Sequence, residues 1–191
     1  MHKTSVNALV FAVLVIPGAS AAQQTPAPAG QTVTLSSEML RGYQFTQRNL
    51  AEAADKMPDE HYGFRPTPDI KPFGQLVAHV ALAQFSVCAT LKGEPNPRKD
   101  EKEDTSRTKA EAIALLKASA AYCDPAVSAL TDPTMTEPMK MGPNQVAKGL
   151  LPISVVAHGA EMYGTMAVYL RLKGIVPPTT ERENQMKKDR Q

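Results

Sequence analysis

VVAHGAEMYGTMAVYLRLKGIVPP, residues 155–178, says more about the fold than any other stretch of this chain. Val155, His158, Met162, Met166 and Tyr169 recur at steps of three and four residues, with Leu151 ahead of them. That is the spacing of one face of an α-helix. Gly174 and then Pro177-Pro178 supply the stop. The pattern predicts a helix from about residue 146 to 173. His158 lies inside the apolar stripe, four residues before Met162. Two histidines at that spacing are a common metal chelate. Here a methionine holds the second place, so the stretch reads either as an altered metal site or as plain helix core.

Working back along the chain, three more amphipathic segments emerge. The third helix opens on a capping box, Thr108 with Glu111. Its stripe is Ile113, Leu116, Ala120, Cys123, Val127 and Leu130, with Pro125 inside it as a kink or restart. The second helix starts near Pro72, with Phe73, Leu76, Val80, Ala83, Val87 and Leu91 as its stripe, and ends at Gly93. The first begins after Ser36-Ser37, which suit a cap, and carries Met39, Tyr43, Leu50, Ala54 and Met57. Between these lie a Pro/Gly-rich turn region (58–72), a charged and proline-containing link (94–107) and a loop (131–144). The polar segment ERENQMKKDR (181–190) reads as a disordered tail. No segment alternates as a strand does, and no repeat is visible. The reading is all-α, a four-helix bundle over residues 36–178 with a tail at 179–191. A short first link favours antiparallel first and second helices. The long second link lets the third helix run parallel to the second.

Lys3, the apolar run ALVFAVLVIP (8–17) and the small residues GASAA (18–22) have the order of a cleavable signal peptide. The run is too short for an ordinary membrane-spanning helix. The expectation is a signal peptide at 1–22, a flexible Pro/Ala/Gln-rich lead-in at 23–35, and an exported protein, periplasmic or secreted, with no membrane attachment after processing. Twenty-one basic and nineteen acidic residues give +2, and losing Lys3 makes it +1. No basic patch dominates, so nucleic acid is not an expected partner. Aromatics are 5% and tryptophan is absent, which argues against a sugar- or base-stacking platform. Cys88 and Cys123 stand sixteen residues after Pro72 and fifteen after Thr108. Parallel neighbouring helices would bring them to one height and allow a disulfide, whereas antiparallel ones would leave two separate thiols.

Histidine is sparse. His2 leaves with the signal peptide, and His61 falls in the turn region. His79 is at the edge of the second helix's stripe, while His158 is within that of the fourth. Burying an imidazole costs free energy unless its nitrogens find partners. A shared metal would satisfy both; so would separate hydrogen bonds.

Three motifs, FGQLVAHVALAQF (73–85), YGFRPTP (62–68) and the closing VVAHGAEMYGTMAVYLRLKGIVPP, together resemble the DinB/YfiT-like family over most of residues 38–178. The resemblance implies an up-down-down-up four-helix bundle that binds a divalent metal such as zinc or nickel through one histidine on the second helix and a His-x-x-x-His pair on the fourth. Carried over, those positions are His79, His158 and Met162, the last a departure from the pattern. Some members of the family are thiol-dependent transferases or isomerases, which implies a small-molecule substrate or thiol as partner. Relatives often dimerise, so a homodimer is implied too, though no segment marks an interface.

Three functions are compatible with this. The first is a metal-dependent enzyme, thiol-transferase or hydrolase-like, with an altered His-His-Met site. The second is a non-catalytic bundle that has lost its metal and binds a small molecule or a protein. The third is a soft-metal (copper) binder, since thioethers suit Cu(I) and Met135, Met139 and Met141 cluster in the chain. No nucleophile or general base stands out. If the leader reading holds, protein recovered from the extracytoplasmic fraction has an intact mass that places its first residue near Ala22 or Gln23; a mass that retains the apolar run would mean an anchor.

Overall fold

The computed structural model describes residues 33–191; the expected signal peptide, and the lead-in up to residue 32, lie outside them. The described chain is mostly helical. It runs α1 (Leu35–Lys56), a 3-10 turn (Asp59–His61), α2 (Phe73–Lys92), α3 (Lys109–Ser128), a short α4 (Asp132–Thr136), strands β1 (Pro138–Met141) and β2 (Asn144–Ala147), α5 (Leu150–Leu172) and α6 (Pro178–Lys188).

The helix ends follow local chemistry. α1 is capped by Thr34, in a reciprocal box with Ser37, rather than by Ser36 or Ser37. Asp132 of α4 accepts further N–H bonds from Leu35 and Ser36, at 3.3 and 2.8 Å. The Thr108–Glu111 box opens α3, which continues through Pro125 to Ser128. α2 has no side-chain cap. The carbonyls of Tyr62 and Phe64 take its first N–H groups instead, from Gly74 at 2.8 Å and Phe73 at 2.9 Å. A Cβ on Gly74 would come 3.0 Å from the Tyr62 ring, a tight contact that favours glycine at this close approach. Tyr62 then donates to Ala54 O at 2.7 Å, and Tyr169 donates to Lys71 O at 2.7 Å, tying the YGFRPTP region to α1 and α5. Gly93 and Gly174 end α2 and α5 with φ of 69° and 72°.

Two apolar clusters stack along the bundle. One gathers Met39 and Tyr43 near the start of α1, Leu151 and Val155 near the start of α5, and Cys88, Leu91, Cys123 and Val127 near the ends of α2 and α3. The other joins Leu50 and Ala54 late in α1 and Met166 and Leu170 late in α5 to Phe73 and Leu76 early in α2 and Ala112 and Leu116 early in α3. α2 and α3 therefore run side by side in one direction, and α1 and α5 in the other. Cys88 and Cys123 are bonded, with Cα atoms 5.4 Å apart and both side chains fully buried. A cross-link closing 35 residues stabilises by about 4 kcal/mol in the chain-entropy account. One turn away, Ser119 donates to Gln84 Oε1 at 2.8 Å, and Gln84 donates to Gln47 Oε1 at 3.2 Å, a polar rung across α3, α2 and α1. α2 is apolar enough by composition to cross a membrane, yet most of it is buried among the other helices.

Two segments differ from the sequence reading. The expected disordered tail is largely helix α6. Pro178 occupies its first turn, Arg182 reaches Glu52 and Asn49 of α1, Lys56 meets Glu181 at 2.9 Å, and Tyr163 bonds Thr179 at 2.8 Å. These are polar anchors, which apolar periodicity does not register. The expected loop at 131–144 holds α4 and most of a β1–β2 hairpin, in which Met139 pairs with Val146 and Gly142 takes φ 59° in the turn.

Gly159 sets how closely α1 and α5 approach. A Cβ there would fall 2.6 Å from Thr46 Cγ2 and 3.3 Å from Leu50 Cδ1. Gly159→Ala should cost about 1–3 kcal/mol in chemical denaturation. Adding Thr46→Ser, which removes that methyl, should recover much of the loss; no recovery would mean the contact is not the cause.

Candidate functional site: a histidine pair between α2 and α5

Because α2 and α5 are antiparallel neighbours, His79 and His158 face each other. Their rings meet edge to face, with centroids 5.0 Å apart and planes at 78°. His79 Nδ1 is 2.8 Å from Glu103 Oε1, in the α2–α3 link. Glu103 Oε2 lies 3.6 Å from Lys71 Nζ. His158 Nδ1 is 3.9 Å from Glu161 Oε2, too far for a hydrogen bond. His158 Nε2 is buried and has no hydrogen-bond partner among the described residues. Beside the pair, a cavity of about 250 Å³ opens between the two helices. Val80, Ala83, Val87 and Val155 form its apolar wall, and Gln84 and Ser154 are its other polar lining.

Burial lowers the pKa of His158, and the neighbouring His79 lowers it further, against opposing pulls from Glu161 and Glu103. Glu103 is pushed the other way by burial, but its hydrogen bond to His79 and the electrostatic pull of that ring and of Lys71 outweigh this and hold it below the usual glutamate range. The arrangement is therefore a neutral imidazole facing a second imidazole backed by an ionised carboxylate.

His79 and His158 are thus brought together. Met162 is half-buried and packs on the larger apolar cluster, and the cavity beside the pair is lined without it. His61 ends the 3-10 turn and does not line that cavity. The Tyr163 phenol, a candidate donor near the face of Met162, is engaged by Thr179 Oγ1 and N, at 2.8 and 3.0 Å. Met135 is a buried member of the smaller cluster and Met139 packs against it, while Met141 is 39% exposed. No group of three or more His, Cys, Asp or Glu side chains with metal-holding geometry occurs among the described residues. Glu103 was not singled out by the sequence. It sits in a charged link with no periodicity, and only the third dimension brings it to α2.

The DinB superfamily model matches residues 43–161, more than half of the sequence, and the chain belongs to that superfamily. A DinB-like protein of Bacillus cereus ATCC 10987 is similar in structure, with a TM-score of 0.62 at 16% identity, over 74% of this chain and 95% of its own. A DinB-like protein of Bacillus subtilis gives 0.58 at 18%, over 72% and 92%. A conserved protein of Enterococcus faecalis gives 0.56 at 16%, over 74% and 98%. At these identities the likeness speaks for the fold alone. No curated protein matches the chain.

The depressed pKa of His158 has a measurable sign. An unfolded histidine titrates near 6.5. Between that value and the lower folded-state one, the unfolded chain binds the proton more tightly. In metal-free protein, stability should be complete above about pH 6.5, fall as pH drops below it, and level off under the folded-state pKa. His158→Asn should flatten that segment of the stability-against-pH curve, measured by denaturation in the presence of chelator.

Proposed function

We propose that this is an exported DinB protein whose four long helices, α1, α2, α3 and α5, follow the up-down-down-up course, and which binds a divalent metal, zinc or nickel, between α2 and α5. The shared direction of α2 and α3, opposite to that of α1 and α5, supports the course. The buried cross-link between Cys88 and Cys123 supports export, because disulfides persist in oxidising compartments.

The observation that carries the metal reading is the buried, unpartnered Nε2 of His158 beside the His79 ring. A buried polar atom without a partner is costly, and an ion would remove that cost. Neutral imidazole is also the protonation state that ligation needs, and the surroundings of His158 favour it. Two imidazoles suit zinc or nickel; the Met162 thioether in the third position does not, so affinity would be modest and other positions would stay open. A bound ion would supply Lewis acidity, lowering the pKa of a water or thiol, as thiol-transfer or hydrolysis requires. The chain's own contribution is to hold both rings in fixed orientation and to keep an apolar hollow beside them, of a size for a small substituent rather than a large substrate.

A second reading, a non-catalytic bundle that binds a small molecule in the same hollow, is favoured by the thioether at position 162. Calorimetry with zinc and nickel separates the two. The native protein should bind weakly, Met162→His should bind much more tightly by completing the set with an imidazole, and His158→Ala should abolish binding. If Met162→His binds no better than the native protein, the three side chains do not converge on one ion, and the second reading replaces the first. A preference for Cu(I) over zinc would instead mark a soft-metal site.

A further inference from the structure

We propose that Glu103 is a positioning residue for His79, fixing its imidazole with the proton on Nδ1 so that the Nε2 lone pair is the one offered to a ligand. An ionised carboxylate only accepts hydrogen bonds, and a neutral imidazole carries a single N–H. The 2.8 Å contact between Glu103 Oε1 and His79 Nδ1 therefore assigns the proton to Nδ1. The role of this tautomer in metal binding rests on the reading given above; the tautomer itself does not.

The contact is built, because the backbone carrying Glu103 is held on both sides. The Arg107 guanidinium is nearly buried, with 8% side-chain exposure. It gathers the link by donating to the carbonyls of Lys102, Glu103 and Thr105 and to the Glu101 carboxylate. Gln75, four residues before His79 and so on the same face of α2, donates to Asp104 O at 3.3 Å. Lys71 flanks the second oxygen of Glu103. Residues 101–107 thus form a strap across α2 that delivers one carboxylate to one ring nitrogen. A ligating histidine that gives its other N–H to a carboxylate is a recurrent arrangement in metal sites, and losing such a partner costs 10–100-fold in affinity. His158 has no such partner: its Nδ1 is 3.9 Å from Glu161 Oε2, beyond hydrogen-bond reach.

The test uses long-range proton–nitrogen correlation spectra of the imidazoles in metal-free native protein, Glu103→Ala and Glu103→Gln, at a pH where both rings are neutral, followed by zinc calorimetry on the same samples. The native spectrum should show His79 protonated on Nδ1. Glu103→Ala should lose that preference and weaken zinc binding about 10–100-fold. Glu103→Gln keeps an acceptor, so it should retain the tautomer and recover part of the affinity. A native His79 protonated on Nε2, or a tautomer unmoved by Glu103→Ala, overturns the proposal even if zinc binds. If the tautomer shifts as expected but none of the three proteins binds zinc, the positioning role stands and the metal reading fails.

Discussion

The parallel packing of α2 against α3 is the constraint on which the rest of this structure depends. A helix of about 20 residues is about 30 Å long. Two such helices running the same way cannot be joined by a tight turn, so the chain must travel back along the bundle between them. Residues 93–108 make that return, and their extended reach exceeds the distance, which leaves slack to be folded into the strap that Arg107 gathers. The return path passes the N-terminal half of α2, where Gln75 and His79 stand. The carboxylate beside the histidine pair is thus a by-product of topology: antiparallel helices on a short loop would have no chain there. The disulfide holds the two helices in register toward the other end, and the Ser119–Gln84 contact does so at their middles.

Much of the bundle was legible because its helices announce themselves by spacing and by stops. The stripe through Phe73, Leu76, Val80 and Leu91, the box at Thr108 and Glu111, and the glycines at 93 and 174 are all local signals, and each element they predict is present. The equal heights of Cys88 and Cys123 were readable too, but only on condition that the helices ran parallel, which no local signal states. What escaped was held by polar contacts between distant segments. α6 hangs on Arg182, Glu52 and the Tyr163 hydroxyl, and its own sequence has no apolar face. The hairpin is short, carries two prolines and exposes most of its residues, so alternation had little to register. Half of the site was visible in the positions of His79 and His158 on their stripes. Glu103 was not, because a charged residue in a link has no periodicity to give it a direction.

The balance of charge and burial around the two histidines follows from where each sits. His158 is on α5 against the apolar wall of the cavity, and its neighbours leave it neutral. His79 is nearer the strap, where an ionised carboxylate and a lysine accompany it. Two identical side chains therefore meet in unlike surroundings, with the apolar hollow on one side and a hydrogen-bonded polar surface on the other. Gln84 belongs to both, lining the hollow and closing the polar rung that crosses to α1 and α3.

The bond between Cys88 and Cys123 does more than hold two helices at one height. Together with the backbone from residue 88 to 123 it closes a covalent ring, and the whole strap belongs to its circumference. A protease that cuts the exposed link once opens the ring but does not divide the molecule, since the sulfur bridge still joins the two pieces. An exposed connection of the fold is therefore also one whose scission leaves every helix tethered to its neighbours.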